Sequence, residues 1–577
     1  MKRLLFTLFS CFCLVTYVQA QQVAFQDIAW KRQTRGDKGD QFNRVRTTPF
    51  GDVVAAGSFA DKANLETNNT GQVQLRSEGG LDCMMAMWDA NGRFMYKLNF
   101  GGDGNDEILG LAPGPFGEVF ITGYFSDEIE FEDANGREIE LESAGGTDGF
   151  VARVDSRGRI TWAFRFGGSG NDRGTGIDVA RNGNLWVAGT FSNTFNLKGL
   201  FGTQQSLNSA GGTDAFLAKF SGVGSLFWAA TAGGPGNDAA VAAAADRANN
   251  GFMLGTFTGS ANFRTSNKLF TRSAVGGNDV FVLGMSNGGN LDYVTAMGGA
   301  GSEEANDLAA DPRNQGVVAI GTFSGTSAFG STSLTSTGGL DAYLVRLGTT
   351  GQVQWARRMG GTNMDLGQSV RMARNGQILV GMAFDTRVTM PGNTVITENN
   401  GWLTGLIARL TADGTGVLFS AKIMGPRGDD AVLGVDTSIR GGCYAAGMFH
   451  SRTRLRVLPN GGGGGLRQNA YVTYYGIANP KREGVNEEAV LAEVPTLQLA
   501  PNPAGLAEAQ RLTATGFEGT VTLQMLDATG KLVSAQTADA TTLAEGIELT
   551  GATQPGLYIL VLTDAAGHKA QVRMAVR

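Results

Sequence analysis

Residues 167–191 read GGSGNDRGTGIDVARNGNLWVAGTF, and residues 101–125 read GGDGNDEILGLAPGPFGEVFITGYF. The two stretches share one frame: a glycine pair, an acid at the sixth position, a short apolar run, a tight turn and an aromatic-rich run. In this frame the sixth position falls on Asp40, Asp106, Asp172, Asp238, Glu303, Asp365 and Asp429, spaced by 66, 66, 66, 65, 62 and 64 residues. Self-similarity at a fixed period of this size marks a repeat architecture. Outward from Gly167, four strand-like runs fill each unit. In the third unit they are Gly174–Ala180, Leu185–Phe191, Ala215–Phe220 and Ser225–Thr231. Turns at Arg181–Asn184 and Ser221–Gly224 separate the first pair and the last pair, and a longer loop ending in Gly211-Gly212-Thr213-Asp214 separates the middle two. The β-branched and aromatic residues of these runs suit half-buried strands.

Four antiparallel strands repeated seven times predict an all-β fold, a seven-bladed β-propeller. The chain ends choose it over an open solenoid. The seventh unit stops after its third run, Ala470–Tyr475, and the missing fourth run stands at the other end of the chain. There Asp27-Ile28-Ala29-Trp30-Lys31 matches Arg159–Ala163 and Gln352–Ala356. An N-terminal strand completing the last unit would close a ring and remove the exposed sheet edges that invite aggregation.

The chain has 577 residues, 86 of them glycine, and a net charge of −6 without a basic run, which argues against nucleic acid as a partner. Hydrophobic content of 42% excludes a disordered polymer. Residues 1–20 read as a signal peptide: Lys2 and Arg3, an apolar stretch, then Val18-Gln19-Ala20. No later segment has the length of a membrane-spanning helix. Residues 21–477 form the predicted propeller, 478–496 a charged linker, and 497–577 a second module of short strands that predicts a small β-sandwich. Removal of the signal leaves Cys83 and Cys443, which begin a third and a second strand and so lie near opposite faces of the ring; the register therefore predicts them to be unpaired.

The GGxGxD openings, the G-T-F second strand, the GGxD entry to the third strand and the aromatic fourth strand resemble the SBBP-type bacterial β-propeller repeats, over roughly Ala24–Ile477. That family carries no catalytic motif to transfer. The tail is similar to the type IX secretion C-terminal sorting domain of Bacteroidota. The resemblance rests on Leu499-Ala500-Pro501-Asn502-Pro503-Ala504, Leu526–Lys531, Pro555-Gly556-Leu557-Tyr558 and Val572–Arg577. It implies export by the type IX machinery as a partner, with delivery to the outer-membrane surface or the medium. Where the family usually has an aromatic, this chain has Ala500.

Two acid rings are expected on one face. One is the sixth-position set; the other is Asp82, Asp148, Asp214, Asp279 and Asp341, with Thr404 and Asn469 in the last two units. Two acids per unit near backbone carbonyls, drawn from Asp106, Asp148, Asp172, Asp214, Asp238 and Asp279, could hold Ca²⁺, which takes six to eight oxygens. Alternatively each acid pins its own loop by accepting backbone N–H groups. Near-identical units cannot make one asymmetric catalytic constellation, so no catalytic residue is assigned. Two histidines in the chain, His450 and His568, argue against a His-based metal site or triad. The departures from the repeat are Trp402, His450, Arg452 and Arg454, a candidate ligand-binding edge for a surface glycan or protein. Tyr96, Trp162, Trp228, Tyr293, Trp355 and Phe419 share the fourth-strand position of Trp30 and are expected in the core. The function that follows is an exported binding or adhesion module. The alternatives are a polysaccharide hydrolase or lyase acting through the carboxylates, and a calcium-stabilised structural surface protein.

Overall fold

The computed structural model describes residues 25–576 except 37, 68–70, 134, 203, 266–267, 399–400, 424–427, 453–465, 478–495, 501–510, 516–518, 528–531, 546, 550–555 and 565–568. The predicted signal peptide, Arg454 and nearly all of the predicted linker lie outside the described residues. Two units divide the chain, Met1–Pro480 and Lys481–Arg577.

The first unit is all-β and propeller-like. Strands Gln41–Thr47, Val53–Glu66, Gln72–Trp88 and Phe94–Phe100 pair antiparallel in chain order. The same succession recurs from Glu107, Arg173, Ala239, Glu303 and Asp365. From Ala431 only three strands follow in order, Ala431–Thr437, Cys443–Arg452 and Leu466–Ile477. Their outer neighbour is Phe25–Gly36 from the far end of the chain, with Trp30 opposite Tyr474 and Gln33 opposite Tyr471. The first strands of successive units touch one another in turn, and Ala431–Thr437 touches Gln41–Thr47, which completes the circuit.

The long middle loop of each unit is where the structure corrects the sequence reading. In the third unit the second strand runs on to Leu197 and the third begins at Gln205, so most of the expected loop is paired strand. Beyond a bulge at Asn193, whose φ is 59°, this hairpin turns sideways and pairs with the outer strand of the preceding unit, Phe195 opposite Gly168. The lap repeats: Thr34 opposite Leu65, Ala232 opposite Phe263, Gly298 opposite Ala328, Gly360 opposite Thr389. Polar and apolar residues alternate along these hairpins, and the apolar side fills the clefts between units, as Phe131 and Phe195 do.

The fourth-strand aromatics all pack against the apolar core, to different depths. Trp30 and Tyr293 are buried, but Tyr96, Trp162, Trp228, Trp355 and Phe419 are only half-buried. Most of them stack under the turn glycine of the next unit. A Cβ on Gly92 would lie 2.6 Å from the Trp30 ring, and one on Gly158 2.5 Å from Tyr96. Both glycines have positive φ, 76° and 80°, so turn conformation and close ring approach each require the missing side chain. Cys83 and Cys443 are free and buried.

In the second unit Thr496–Ala500, Arg511–Thr515 and Ile547–Glu548 form one antiparallel sheet, and Leu532–Asp539, Thr520–Asp527, Gly556–Asp564 and Lys569–Val576 another. Leu512 of the first sheet shares an apolar cluster with Val521, Leu523, Met525 and Tyr558 of the second. A short helix, Ala540–Glu545, adds Leu543 to it. Asp539 starts that helix by accepting the Thr541 N–H at 3.0 Å.

Trp30 contacts the rings of Trp88, Tyr444 and Tyr474 at centroid distances of 6.4, 5.8 and 6.2 Å. Trp30→Ala should therefore cost about 3–5 kcal/mol in urea unfolding. It should also raise aggregation by loosening the strand that covers the Tyr471–Tyr475 edge, measured by light scattering below the unfolding midpoint.

Candidate functional site

The acid ring is built by the glycine-rich openings. Asp172 is fully buried. One carboxylate oxygen accepts the Gly168 N–H at 2.7 Å and the other accepts the Ser192 N–H at 3.1 Å. Asp106 does the same with Gly102 and Ser126, and Asp238 with Gly234 and Thr258. The second ring pins the residue four positions back. Asp82 accepts from Glu78, Asp148 from Ala144, Asp214 from Ala210 and Asp279 from Val275, each at 3.1 Å. Donors aimed at the acids present the positive end of a dipole, where a bound cation would need lone pairs. Among the described residues no group of three or more His, Cys, Asp or Glu side chains is placed to hold a metal ion. The contacts are those of loop pins.

The two rings lie against each other. A Cβ on Gly101 would be 2.5 Å from Asp82 Cγ and 2.9 Å from Asp106 Oδ2. Burial raises the carboxyls most, and neighbouring acids add to it. Asp106 is pushed up to about 7 by burial and then by Asp82, against the N–H bonds it accepts. Asp172 reaches about 7 by burial, with Asp148 adding to it. Asp82 and Asp214 reach about 6, burial again leading. Asp148 is raised by burial less the pull of Arg165, and burial raises Asp238 and Asp279.

In the last opening the structure moves the frame by one residue. Asp430, not Asp429, is the buried acid: its N–H donates to Leu403 O at 2.9 Å, as the Asp106 N–H does to Leu81 O, and it accepts the His450 N–H at 3.0 Å. Asp429 takes the role of Asn105, accepting the Leu403 N–H at 2.9 Å where Asn105 accepts that of Leu81. His450 therefore stands where Ser126, Ser192 and Thr258 stand. Its Nδ1 contacts the Asp429 carbonyl as those hydroxyls contact Asn105, Asn171 and Asn237. The expected ligand-binding histidine is part of a loop pin. Trp402 is 42% exposed and replaces the second glycine of GGxD. Through Leu403 and Asp429 it is brought near His450. Of Arg452 the backbone alone is described, at the end of Cys443–Arg452.

Sequence reasoning missed the acids on the first strands. Asp178 accepts the Ala245 N–H at 2.7 Å, Asp436 the Thr47 N–H at 2.6 Å and Asp307 the Val370 N–H at 3.0 Å, each tying one first strand to the next. Arg46, Arg371, Asp178 and Asp436 share a cavity of about 200 Å³. Burial pushes Asp178 up to about 6 despite Arg46. A charge in the middle of a small apolar strand, as in Gly176-Ile177-Asp178-Val179, was the available signal. A second cavity of about 510 Å³, sharing Asp436 with the first, lies among Thr48, Pro49, Arg374, Arg409 and Ser438. The Arg409 guanidinium is held there by the carbonyls of Gly441 and Gly442.

No protein-family model matches the chain. The regulatory protein FlaEY of Caulobacter vibrioides is 29% identical over 169 residues, 29% of this chain and 17% of its own length. Among solved structures, quinohemoprotein alcohol dehydrogenase from Comamonas testosteroni aligns over 81% of this chain and 79% of its own at 11% identity, with a TM-score of 0.34. PorZ, a surface component of the type IX secretion system of Porphyromonas gingivalis, aligns over 93% and 99% at 10% identity, with a TM-score of 0.15. No helix among the described residues is long and apolar enough to cross a membrane.

Two outcomes follow from the pins. The raised carboxyls titrate near pH 4 in the unfolded chain and near 6 to 7 when folded. Their contribution to stability is full below pH 4 and is lost as pH rises through 7. The urea midpoint of the ring should therefore fall between pH 5 and pH 8, and Asp106→Asn with Asp172→Asn should flatten that fall. His450→Ser, which restores the hydroxyl of the sister units, should leave the midpoint unchanged, whereas His450→Ala should lower stability by about 1 kcal/mol.

Proposed function

We propose that the chain is an exported seven-bladed β-propeller that acts as a binding or adhesion module on the cell surface or in the medium. In this reading the C-terminal unit is a small β-sandwich that serves as its type IX sorting domain. The observation that carries the reading is the employment of the repeated acids. They are buried and engaged with the N–H groups of their own loops, so the surface chemistry of the ring resides in side chains that differ from unit to unit. That is how a repeat scaffold presents a recognition surface. The N-terminal strand lying beside Leu466–Ile477 supports the closed ring. The cyclic contacts of the first strands support the count of seven. Two antiparallel sheets sharing one apolar cluster support the sandwich. The signal-like residues 1–20 and the resemblance of residues 497–577 to sorting domains support export.

In a bacterium with type IX machinery the full chain should reach the outer surface or the medium, and a chain ending at residue 496 should remain in the periplasm, as read by fractionation. On glycan and protein arrays the exported ring should bind without turnover. Reducing-end release from a polysaccharide that is abolished by Asp→Asn changes in the acid rings would replace the binding reading with the hydrolase. A rise in melting temperature on adding Ca²⁺ that Asp172→Ala removes would replace it with the calcium-stabilised one.

A further inference from the structure

The turns that join first strands to second strands carry a pattern outside the repeat frame. In the units that begin at Arg173, Ala239, Glu303, Asp365 and Ala431, each of these turns holds an arginine: Arg181, Arg247, Arg313, Arg374 and Arg440. In the units that begin at Gln41 and Glu107 the turn holds Pro49-Phe50 and Pro115-Phe116 instead. All of them close with the same backbone bond, as from the Gly183 N–H to Ala180 O and from the Gly376 N–H to Ala373 O. Such a turn accepts most residues at its centre and makes no demand for arginine. The turns leave the same end of strands that touch one another in a circuit, and neighbours are tied side by side. The Asn182 N–H donates to Asn249 Oδ1 at 2.9 Å, the Arg247 N–H to Asn314 Oδ1 at 3.0 Å, and Arg313 Nη1 to Asn375 O at 3.5 Å. The arginines thus form an arc on one face, and all five are exposed. Among the described residues the side chains of Arg181, Arg247 and Arg374 have no partner. Arg440 meets the uncharged Asn91 Oδ1, and Arg313 alone of the five is paired with an acid, Asp311. In a chain with 53 acids against 47 basic residues, a surface of one sign attracts the opposite one.

A second observation points to what belongs there. The arc runs into the cavity of about 510 Å³, whose walls include the turns of both Arg374 and Arg440. Arg374 and the buried Arg409 bring two guanidiniums to it. Asp436 is the one acid among its lining residues, and its two oxygens already accept the Thr47 and Thr437 N–H groups at 2.6 and 2.8 Å. Thr48 Oγ1 accepts the Phe50 and Asp52 N–H groups, and Asn375 Oδ1 accepts that of Gln377. Their own hydrogens therefore remain to donate. Pro49, Pro113 and Ile439 supply apolar wall. The side chain of Ile439 also meets the neighbouring turn, where a Cβ on Gly51 would lie 2.6 Å from it. The Pro-Phe turns so continue the arc, with Phe116 38% exposed.

The geometry points to a binding face for an acidic polysaccharide: one acid-bearing sugar occupies the cavity, its anionic group toward Arg374 and Arg409, and the chain beyond it follows the arginine arc. The inference rests on the binding-module reading and names its ligand class. A cavity of this volume is of the size that holds a small ligand. The planar guanidinium pairs with carboxylate and phosphate alike, so sugars bearing either share the chemistry. Three features favour a sugar polymer over an acidic protein segment. Hydroxyl and amide donors beside the guanidiniums suit sugar hydroxyls. The proline and isoleucine walls suit the apolar face of a sugar ring. The exposed phenylalanine at the end of the arc offers a flat surface on which such a ring can lie.

The test uses the full chain in affinity electrophoresis through gels holding polygalacturonate, phosphomannan or neutral dextran. Retardation by an acidic polymer at low salt, relieved at high salt and absent with dextran, is the expected result. The two acidic gels tell carboxylate from phosphate. Arg181→Ala with Arg247→Ala should weaken the retardation by about tenfold or more without moving the melting temperature, since neither side chain has a partner to lose. Arg374→Ala should weaken trigalacturonate, read by calorimetry, at least as much. Arg76→Ala with Arg264→Ala removes the same charge from the sideways hairpins and should leave both readouts unchanged. Equal weakening by the hairpin pair overturns the inference. So does displacement of polygalacturonate by polyglutamate at equal charge, which would put an acidic protein on this face. If neither acidic polymer binds while an array ligand does, the acidic-polysaccharide inference falls and the binding-module reading stands.

Discussion

A carboxylate oxygen facing a backbone N–H at the mouth of most repeats is the interaction on which the ring depends. The glycine-rich openings bring several N–H groups into places that water does not reach, and a buried N–H without an acceptor costs about as much as a lost hydrogen bond. One acid per opening, joined in most units by a second at the start of the third strand, meets that need. The arrangement brings two carboxyls to either side of one glycine. Burial then holds several of them partly protonated near neutral pH. The glycines are in turn fixed by the acids, since a side chain at Gly101 would strike both Asp82 and Asp106.

Much of this was legible in the residues. The period, the four strands of each unit and the return of the N-terminal strand to Leu466–Ile477 follow from repetition. The loop-pinning alternative follows from Asp beside glycine. What was not legible depended on register and on contacts between units. The seventh opening is one residue longer than the others, and alignment by pattern chose Asp429, whereas the hydrogen bonds choose Asp430. Stretches such as Thr194–Leu197 and Gln205–Asn208 are rich in polar residues and look like loop until their pairing with each other is known. The fourth-strand aromatics look like core because they are large, but their contact with a turn glycine of the next unit is one that no single unit reveals. The helix Ala540–Glu545 has a start signal in Asp539 and Thr541, but at six residues it is too short to show a helical period. His450 drew attention as a rare residue type, while its position in the frame marked it as a stand-in for serine.

The departures from the repeat divide by chemistry. Some are absorbed by the ring, as Arg165 and Arg358 are by Asp148 and Asp341. Others stand in for a loop-pinning hydroxyl, as His450 does. In a repeat scaffold the sister units act as internal controls: the arginine present beside Asp148 and Asp341 is replaced by Asn99, Thr231 and Ala296 beside Asp82, Asp214 and Asp279, so the loop pin forms with or without it.

Each sideways hairpin rests on the outer strand of a segment that precedes it in the chain, from Thr34 beneath Leu65 to Gly360 beneath Thr389. A polypeptide emerging N-terminus first thus meets an already formed template at every step, so order can propagate vectorially behind the point of emergence. Only the seam between Phe25–Gly36 and Leu466–Ile477 must wait for the final repeat. Until then the earliest strand is held in place by the first hairpin rather than left to pair with a neighbouring molecule.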